Sequence, residues 1–194
     1  PLPLRNGDLA YVTSAGAVVV EKPGGVRHEF DVAALPDARI TESEDGLIAI
    51  LAGATTRYAH GVLGDDLEAG RIVLLNPTVP EIVAEAIVDD AAVIEGLAAI
   101  WGDVDDDGRQ EILVTVSNAE VGATLVVFDR DGAIVAEGPP IGRGNRWRNQ
   151  LGIGPTGPNG ETEIVDIRVP HIGGVVEYFR MGDGELVFET QQRG

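Results

Sequence analysis

The chain has 194 residues, which is enough for one domain with a substantial core and for two domains at most. Its composition, 44% hydrophobic and 24% charged, is that of an ordinary globular protein. The net charge of -18 argues against a nucleic-acid partner, which would need a basic face, and against binding to anionic membrane surfaces.

Short apolar or alternating runs bounded by Gly, Pro, Asp and Asn predict β-strands along the whole chain. In chain order the predicted strands are 9–13, 17–21, 26–30, 47–51, 72–75, 82–86, 98–101, 112–116, 124–128, 134–137, 163–167, 175–179 and 186–189. A helix over 79–94 competes with one of these strands. No apolar run approaches the roughly 18 residues of a membrane helix, so we expect no membrane insertion.

The sequence repeats itself at an offset of 52 residues. Glu111 falls on Glu163, and the pair Asp131-Gly132 falls on Asp183-Gly184. The two Asp-Gly pairs predict two-residue hairpin turns, which need positive φ. Antiparallel strands that repeat about every 40 to 50 residues are typical of propeller blades. An open stack of sheets and a β-sandwich are the alternatives.

We therefore predict an all-β chain with a β-propeller-type repeat of four-stranded antiparallel blades. It forms a single domain over 1–194, with blade boundaries near 1–36, 37–90, 91–142 and 143–194, the first blade being incomplete. Propellers close with about four to eight blades. We therefore expect part of a larger propeller, completed by another segment or chain. The opening P-L-P-L lacks a starting Met and a signal peptide, which indicates a processed or excised segment.

An acidic stretch, G-D-V-D-D-D-G-R-Q-E-I, begins at Gly102. Carboxylates at alternating positions repel one another unless a cation lies among them, and calcium prefers six to eight oxygen ligands. We predict a calcium site formed by the side chains of Asp103, Asp105, Asp107 and Glu111 and the backbone carbonyl of Arg109. The alternative is a solvated acidic turn, since Asp and Gly favour turns in any case.

The EF-hand interpretation fails because the twelfth position of the loop is Val114, where that motif needs Glu. The sequence D-V-D-D-D-G-R-Q-E followed by I-L-V-T-V, in a repeat that ends F-D-R-D-G, instead resembles the FG-GAP or VCBS repeats of integrin-α-like β-propellers. The resemblance covers 98–137 and, with fewer matches, 151–189. It implies that the turn between the first two strands of a blade holds a structural calcium ion.

The corresponding turn of the next unit has lost these ligands, because Pro155, Gly157 and Asn159 replace the three aspartates. We expect no metal in that turn, although Gly160 and Glu163 are retained. A further acidic run at 42–45 has the wrong spacing for such a loop and is interpreted as surface charge.

A basic segment, R-G-N-R-W-R-N-Q over 143–150, stands out in this acidic chain. Guanidinium groups beside an indole suit the recognition of carboxylates, sulfates or sugars, and they are common interface anchors. The predicted partner-binding residues are Arg143, Arg146, Trp147, Arg148 and His171. Alternatively, the arginines pair with neighbouring carboxylates, Trp147 packs between units and His171 is structural.

Signs of catalysis are scarce. The chain has no cysteine, no G-x-S-x-G elbow and no phosphate-binding or dinucleotide fingerprint. The sequence therefore favours a binding module over an enzyme: a calcium-stabilised, extracytoplasmic propeller that recognises a protein or a glycan. Two alternatives stay open. One is a propeller-fold enzyme acting on polysaccharide, such as a lyase or hydrolase, and the other is an architectural subunit that completes a ring.

Overall fold

The computed structural model describes residues 1–58, 66–144, 146–170 and 173–193. Within these ranges the chain forms sixteen β-strands and no helix, which confirms the predicted all-β class. No candidate for a membrane-spanning helix is found in the same ranges. The chain divides into two compact units, Pro1–Ala99 and Ile100–Gly194.

The first unit contains two groups of antiparallel strands that follow one another in chain order. One group is β1 Leu2–Pro3, β2 Leu9–Val12, β3 Ala17–Glu21 and β4 Arg27–Asp31. The other is β5 Thr41–Glu42, β6 Ile48–Thr55, β7 Glu68–Asn76 and β8 Glu81–Ile87. The long strand β9, Ala92–Gly102, meets β7 at the single pair Ala69↔Ile94 and continues into the second unit.

The core of the first unit is built from the apolar runs of these strands. Val18 and Val20 of β3 pack with Ile48 and Ile50 of β6, and all four side chains are fully buried. Along β6 the intervening residues are buried as well, so this strand is covered on both faces. A short continuous apolar run is the pattern expected of such a strand.

The second unit contains seven further strands, in two groups. They are β10 Glu111–Asn118, β11 Gly122–Phe128, β12 Ile134–Glu137, β13 Arg148–Gly154, β14 Glu163–Arg168, β15 Val175–Gly182 and β16 Glu185–Arg193. Strands β10 to β12 pair antiparallel in chain order, and so do β13 to β16. A single parallel pair, Glu137↔Glu185, joins β12 to β16, so the two groups share one sheet.

The core of the second unit is formed by both of its strand groups. Leu113 of β10 and Leu125 and Val127 of β11 pack with Ile164 and Phe179 from the other group. Strand β10 is buried along almost its whole length, and its first residue, Glu111, is therefore buried as well. This burial of a carboxylate at the start of a strand determines the chemistry of the loop that precedes it.

Every predicted strand overlaps an observed one, and over 79–94 the predicted strand, not the competing helix, is correct, because this stretch holds β8 and the start of β9. Two short strands, β1 and β5, were missed, and so was β13, whose polar and glycine-rich sequence lacks the expected alternation. Each predicted blade interval contains four consecutive strands, including 1–36, where an incomplete set was expected. Hydrogen bonding does not divide the chain at these intervals, because β1 to β4 form one sheet and β5 to β16 form a single twelve-stranded sheet, which is joined between intervals by the pairs Ala69↔Ile94 and Glu137↔Glu185. Separate four-stranded blades are therefore not confirmed.

The two Asp-Gly turns differ in conformation. Asp183 and Gly184 have φ of 52° and 82° and lie between the paired residues Gly182 and Glu185, so the predicted two-residue turn is confirmed there. At Asp131-Gly132 the prediction is wrong, because only the glycine has positive φ. The connection is longer there, and the Asp129 carboxylate accepts hydrogen bonds from the backbone N–H groups of residues 131 and 133 at 2.9 and 2.8 Å.

Gly102, the last residue of β9, allows close packing against β13. A Cβ added at Gly102 would lie 2.7 Å from atoms of the Ile153 side chain, whereas one added at Gly154 meets nothing within 4 Å. We therefore expect Gly102→Ala to lower the free energy of unfolding by about 1–3 kcal/mol through overpacking, and Gly154→Ala to leave it nearly unchanged. Urea denaturation of both variants measures this, and equal stabilities would contradict the packing described.

Candidate functional site

The acidic loop 103–110 joins β9 to β10, which are neighbours in the sheet. Hydrogen bonds from backbone N–H groups to the carboxylates of the loop itself give it a tightly curved conformation. Asp103 accepts hydrogen bonds from the backbone N–H groups of Asp107 at 3.1 Å and Gly108 at 2.9 Å. Asp105 also accepts from the Asp107 N–H, at 3.1 Å, and Asp107 accepts from the Arg109 N–H at 2.7 Å. Gly108 makes the curl possible with φ of 86°.

This curl brings three predicted ligands together. Carboxylate oxygens of Asp103, Asp105 and Glu111 all lie within 4.8 Å of one another. Asp107 lies outside this group of three but lines the same cavity of about 180 Å³ as Asp105 and Glu111. The Arg109 backbone carbonyl as a ligand stays a prediction.

Glu111 is the buried member of the group, with 8% of its surface exposed. Burial raises the pKa of its carboxyl, and the charges of Asp105, Asp107 and Asp103 raise it further, against the hydrogen bond that the Val104 N–H donates at 3.0 Å. Among the described residues no basic side chain forms an ion pair with Glu111. Arg109 and Arg130 line the same cavity, but neither pairs with Glu111, so a bound cation would supply the positive charge that this carboxylate lacks at close range.

Residues at the ends of the neighbouring strands contact the loop. Arg130, in the turn after β11, donates a hydrogen bond from Nε to the backbone carbonyl of Gln110 at 2.9 Å. Its guanidinium carbon lies 6.0 Å from the centre of the Trp101 ring, near the end of β9. These contacts tie the last residue of the loop to the neighbouring turn. The F-D-R-D-G sequence contained Arg130, but nothing in its pattern indicated this role.

The chemistry of the donors fits a hard cation. Carboxylate oxygens are the ligands that calcium prefers, and calcium tolerates irregular geometry at distances of about 2.3–2.6 Å. Neither cysteine nor histidine occurs in the loop, which disfavours zinc. The arrangement can therefore neutralise its own charge by binding one cation, and that binding would hold the start of β10.

The predicted partner-binding residues do not form one group. Arg143 and Arg146 are exposed, and Arg143 Nε donates to the Glu120 backbone carbonyl at 2.9 Å. Trp147 is half-buried, and its backbone carbonyl accepts from the Val169 N–H at 2.8 Å. Arg148 is buried in β13 with 2% exposure, so it cannot meet a partner at the surface. His171 lies outside the described residues.

Arg148 belongs to an interior charge network instead. Its guanidinium pairs with Asp166 at 3.3 Å and Glu177 at 3.2 Å, and Arg168 pairs with Glu177 at 2.9 Å. The register explains the contact, because Arg148 lies opposite Arg168, and Asp166 lies opposite Glu177. The alternative interpretation, that this arginine pairs with carboxylates, is therefore correct.

The network contains a carboxyl with a raised pKa. Burial is the main reason why the pKa of Asp166 is raised to about 7; the charge of Glu177 raises it further, and the charges of Arg148 and Arg168 lower it.

Asp166 should therefore make stability depend on pH in the acidic range. Its raised pKa means that the folded chain binds a proton which the unfolded chain has released, so stability falls as the pH rises from about 4 to about 7, by at most about 1.4 kcal/mol per pH unit. Asp166→Asn should remove this contribution, and the exposed control Glu120→Gln should retain it. Urea denaturation at several pH values compares the slopes. Parallel slopes for Asp166→Asn and the parent would contradict the assignment.

Comparisons with known proteins bear on the fold. No protein-family model matches the chain, and no curated protein matches it significantly. The structure of a Bacillus licheniformis rhamnogalacturonan lyase, PL11, is similar over 96% of this chain and 38% of its own, with a TM-score of 0.53 and 17% identity. The exotype rhamnogalacturonan lyase YesX matches 91% of this chain and 40% of its own, with a TM-score of 0.49 and 13% identity. The chain thus spans about two fifths of these lyases, and the likeness to the first shows the fold alone.

Proposed function

We propose that the chain is a calcium-stabilised segment of a β-propeller in a protein that acts on polysaccharide. The observation that carries this proposal is the group of Asp103, Asp105 and Glu111, whose oxygens lie within 4.8 Å of one another. Glu111 is buried and forms no ion pair with a basic side chain in the part of the chain that the structure describes. The role of the ion is structural. It cancels repulsion within loop 103–110 and fixes the connection between β9 and β10.

Calcium is the ion that these ligands favour. Three side chains converge already, and Asp107 and the Arg109 carbonyl would extend the set toward the six to eight oxygens that calcium takes. Magnesium demands a near-ideal octahedron and gives up its waters reluctantly, which an irregular loop at the protein surface suits less well. Free calcium is plentiful outside cells and scarce inside them, so this assignment also supports an extracytoplasmic location.

The propeller assignment rests on the strand groups. Each of the intervals 1–36, 37–90, 91–142 and 143–194 holds four consecutive strands, as a blade does. The acidic motif supports membership of the FG-GAP or VCBS repeats, although the similar structures named above are lyases. Because the chain spans about two fifths of those lyases, a further segment or chain would complete the ring.

Action on polysaccharide is favoured over a protein-binding module by the likeness to a rhamnogalacturonan lyase, which extends over 96% of the chain. The substrate class would be an acidic polysaccharide, since rhamnogalacturonan contains galacturonate. Exposed Arg143 and Arg146, on the connection between β12 and β13, would meet its carboxylates. In a chain of net charge -18, such arginines are the groups that attract an anionic polymer.

Calcium should stabilise the parent and not a variant that lacks one of the converging carboxylates. At a hundred times the dissociation constant, calcium raises the free energy of unfolding by about 2.7 kcal/mol. Asp105→Ala should gain little from calcium and, with less repulsion in the loop, should be no less stable than the parent in chelator. The exposed Asp37→Ala is the matched control and should respond as the parent does. Thermal melts with calcium or chelator measure this, and four identical melting temperatures for the parent and Asp105→Ala would refute the metal site.

The polysaccharide proposal has a separate test. In affinity electrophoresis with calcium present, rhamnogalacturonan in the gel should retard the parent, whereas neutral dextran should not. Replacing Arg143 and Arg146 together by Gln should weaken retardation severalfold, whereas Arg27→Gln, at an exposed arginine of the first unit, should leave it unchanged. Equal migration of the parent in both polymers would argue against this substrate class and favour a protein-binding module.

A further inference from the structure

The turn between β13 and β14 is the counterpart of the acidic loop. Residues 155–162 join these strands in the same way that loop 103–110 joins β9 to β10, at the 52-residue offset, and together with Glu163 they are called turn 155–163. Pro155, Gly157 and Asn159 stand where the first loop has aspartates, but Glu163 keeps the place of Glu111. Both glutamates are the first residues of their strands, and both are buried, with 3% and 8% exposure respectively.

The two buried glutamates differ in their positive partner. Glu163 pairs with the Arg180 guanidinium at 3.1 Å and accepts a hydrogen bond from the Thr156 hydroxyl at 2.8 Å. Arg180 also approaches Glu161 at 3.8 Å, and Glu161 in turn accepts from the Asn159 backbone N–H at 2.8 Å. The guanidinium therefore lies among the carboxylates of this turn, as a cation would.

The strand register explains why an arginine pairs with Glu163 and none pairs with Glu111 among the described residues. Ile164 lies opposite Phe179, and Ile112 lies opposite Phe128. One residue further along each strand pair, Arg180 is placed across from Glu163, whereas Asp129 is placed across from Glu111. At this register position the first loop thus faces a carboxylate where its counterpart faces a guanidinium. Asp129 lines the same cavity as Glu111, together with Arg109 and Arg130, which do not pair with Glu111.

A direct contact links the two turns. The Thr162 hydroxyl donates a hydrogen bond to the Asp106 carboxylate at 2.8 Å. Asp106 has φ of 61°, a left-handed conformation that costs energy for a residue other than glycine. It lies between the converging ligands Asp105 and Glu111 in the chain but does not belong to their group. The hydrogen bond from Thr162 therefore helps to hold the strained backbone of the acidic loop between two of its converging ligands.

We propose that turn 155–163 is a metal-independent counterpart of the acidic loop, in which Arg180 takes the place of the ion. We further assign it a positioning role, in which Thr162 holds Asp106 and so keeps the acidic loop in its cation-binding conformation. This inference rests on the proposed calcium site. It makes Thr162 and Arg180 positioning residues for an ion that neither of them contacts.

Calorimetric titration of the chain with calcium tests the contact at Thr162. Thr162→Val removes the hydroxyl and should weaken the dissociation constant about threefold, as expected for one exposed hydrogen bond. Thr162→Ser retains the hydroxyl and should bind as the parent does. Thr190→Val makes the same chemical change on the exposed strand β16 and is the matched control. A dissociation constant for Thr162→Val equal to that of Thr190→Val would overturn the positioning role.

The same titration on Arg180 variants tests the charge. Arg180→Lys, which keeps a cation beside Glu163, should bind calcium nearly as the parent does, whereas Arg180→Gln should bind more weakly and melt at a lower temperature. Equal behaviour of the two variants would overturn the view that Arg180 takes the place of an ion. Failure of the parent itself to bind calcium would instead refute the proposed function, and the positioning role with it.

Discussion

A carboxylate buried at the first residue of a strand needs a positive charge close to it. The second unit meets this constraint at Glu111 and at Glu163, because each is the first residue of a strand, β10 or β14, whose next residue is an isoleucine buried in the core. Taking a carboxylate out of water without a counter-charge is costly, and it either acquires a partner or shifts its pKa. The loops that precede the two strands are two solutions to this problem.

One solution is built into the chain and the other requires an ion. Arg180 supplies the charge for Glu163, whereas Glu111 faces Asp103, Asp105 and Asp107 and has no basic partner among the described residues. The stability of the second unit should therefore respond to cations through one loop alone. The network of Arg148, Asp166 and Glu177 shows the same preference for pairing charges inside the sheet rather than excluding them.

The sequence predicted most of the strands because buried strands such as β3 and β6 are apolar runs between turn residues. It also predicted the acidic loop, since alternating carboxylates around a glycine exceed what a turn requires. It did not predict β13, where Arg148 and Gln150 are buried by pairing with distant residues. Burial of that kind depends on cross-strand register, which local periodicity does not carry. For the same reason the sequence analysis places Arg148 among the partner-binding residues and does not single out Arg180.

The most direct measurement is a diffraction experiment on crystals grown with millimolar calcium, recorded at a wavelength where calcium scatters anomalously. The account predicts an anomalous peak in loop 103–110, at about 2.3–2.6 Å from oxygens of Asp103, Asp105 and Glu111, and no peak in turn 155–163. A loop without an ion under these conditions, with its carboxylates splayed into solvent, would contradict the account.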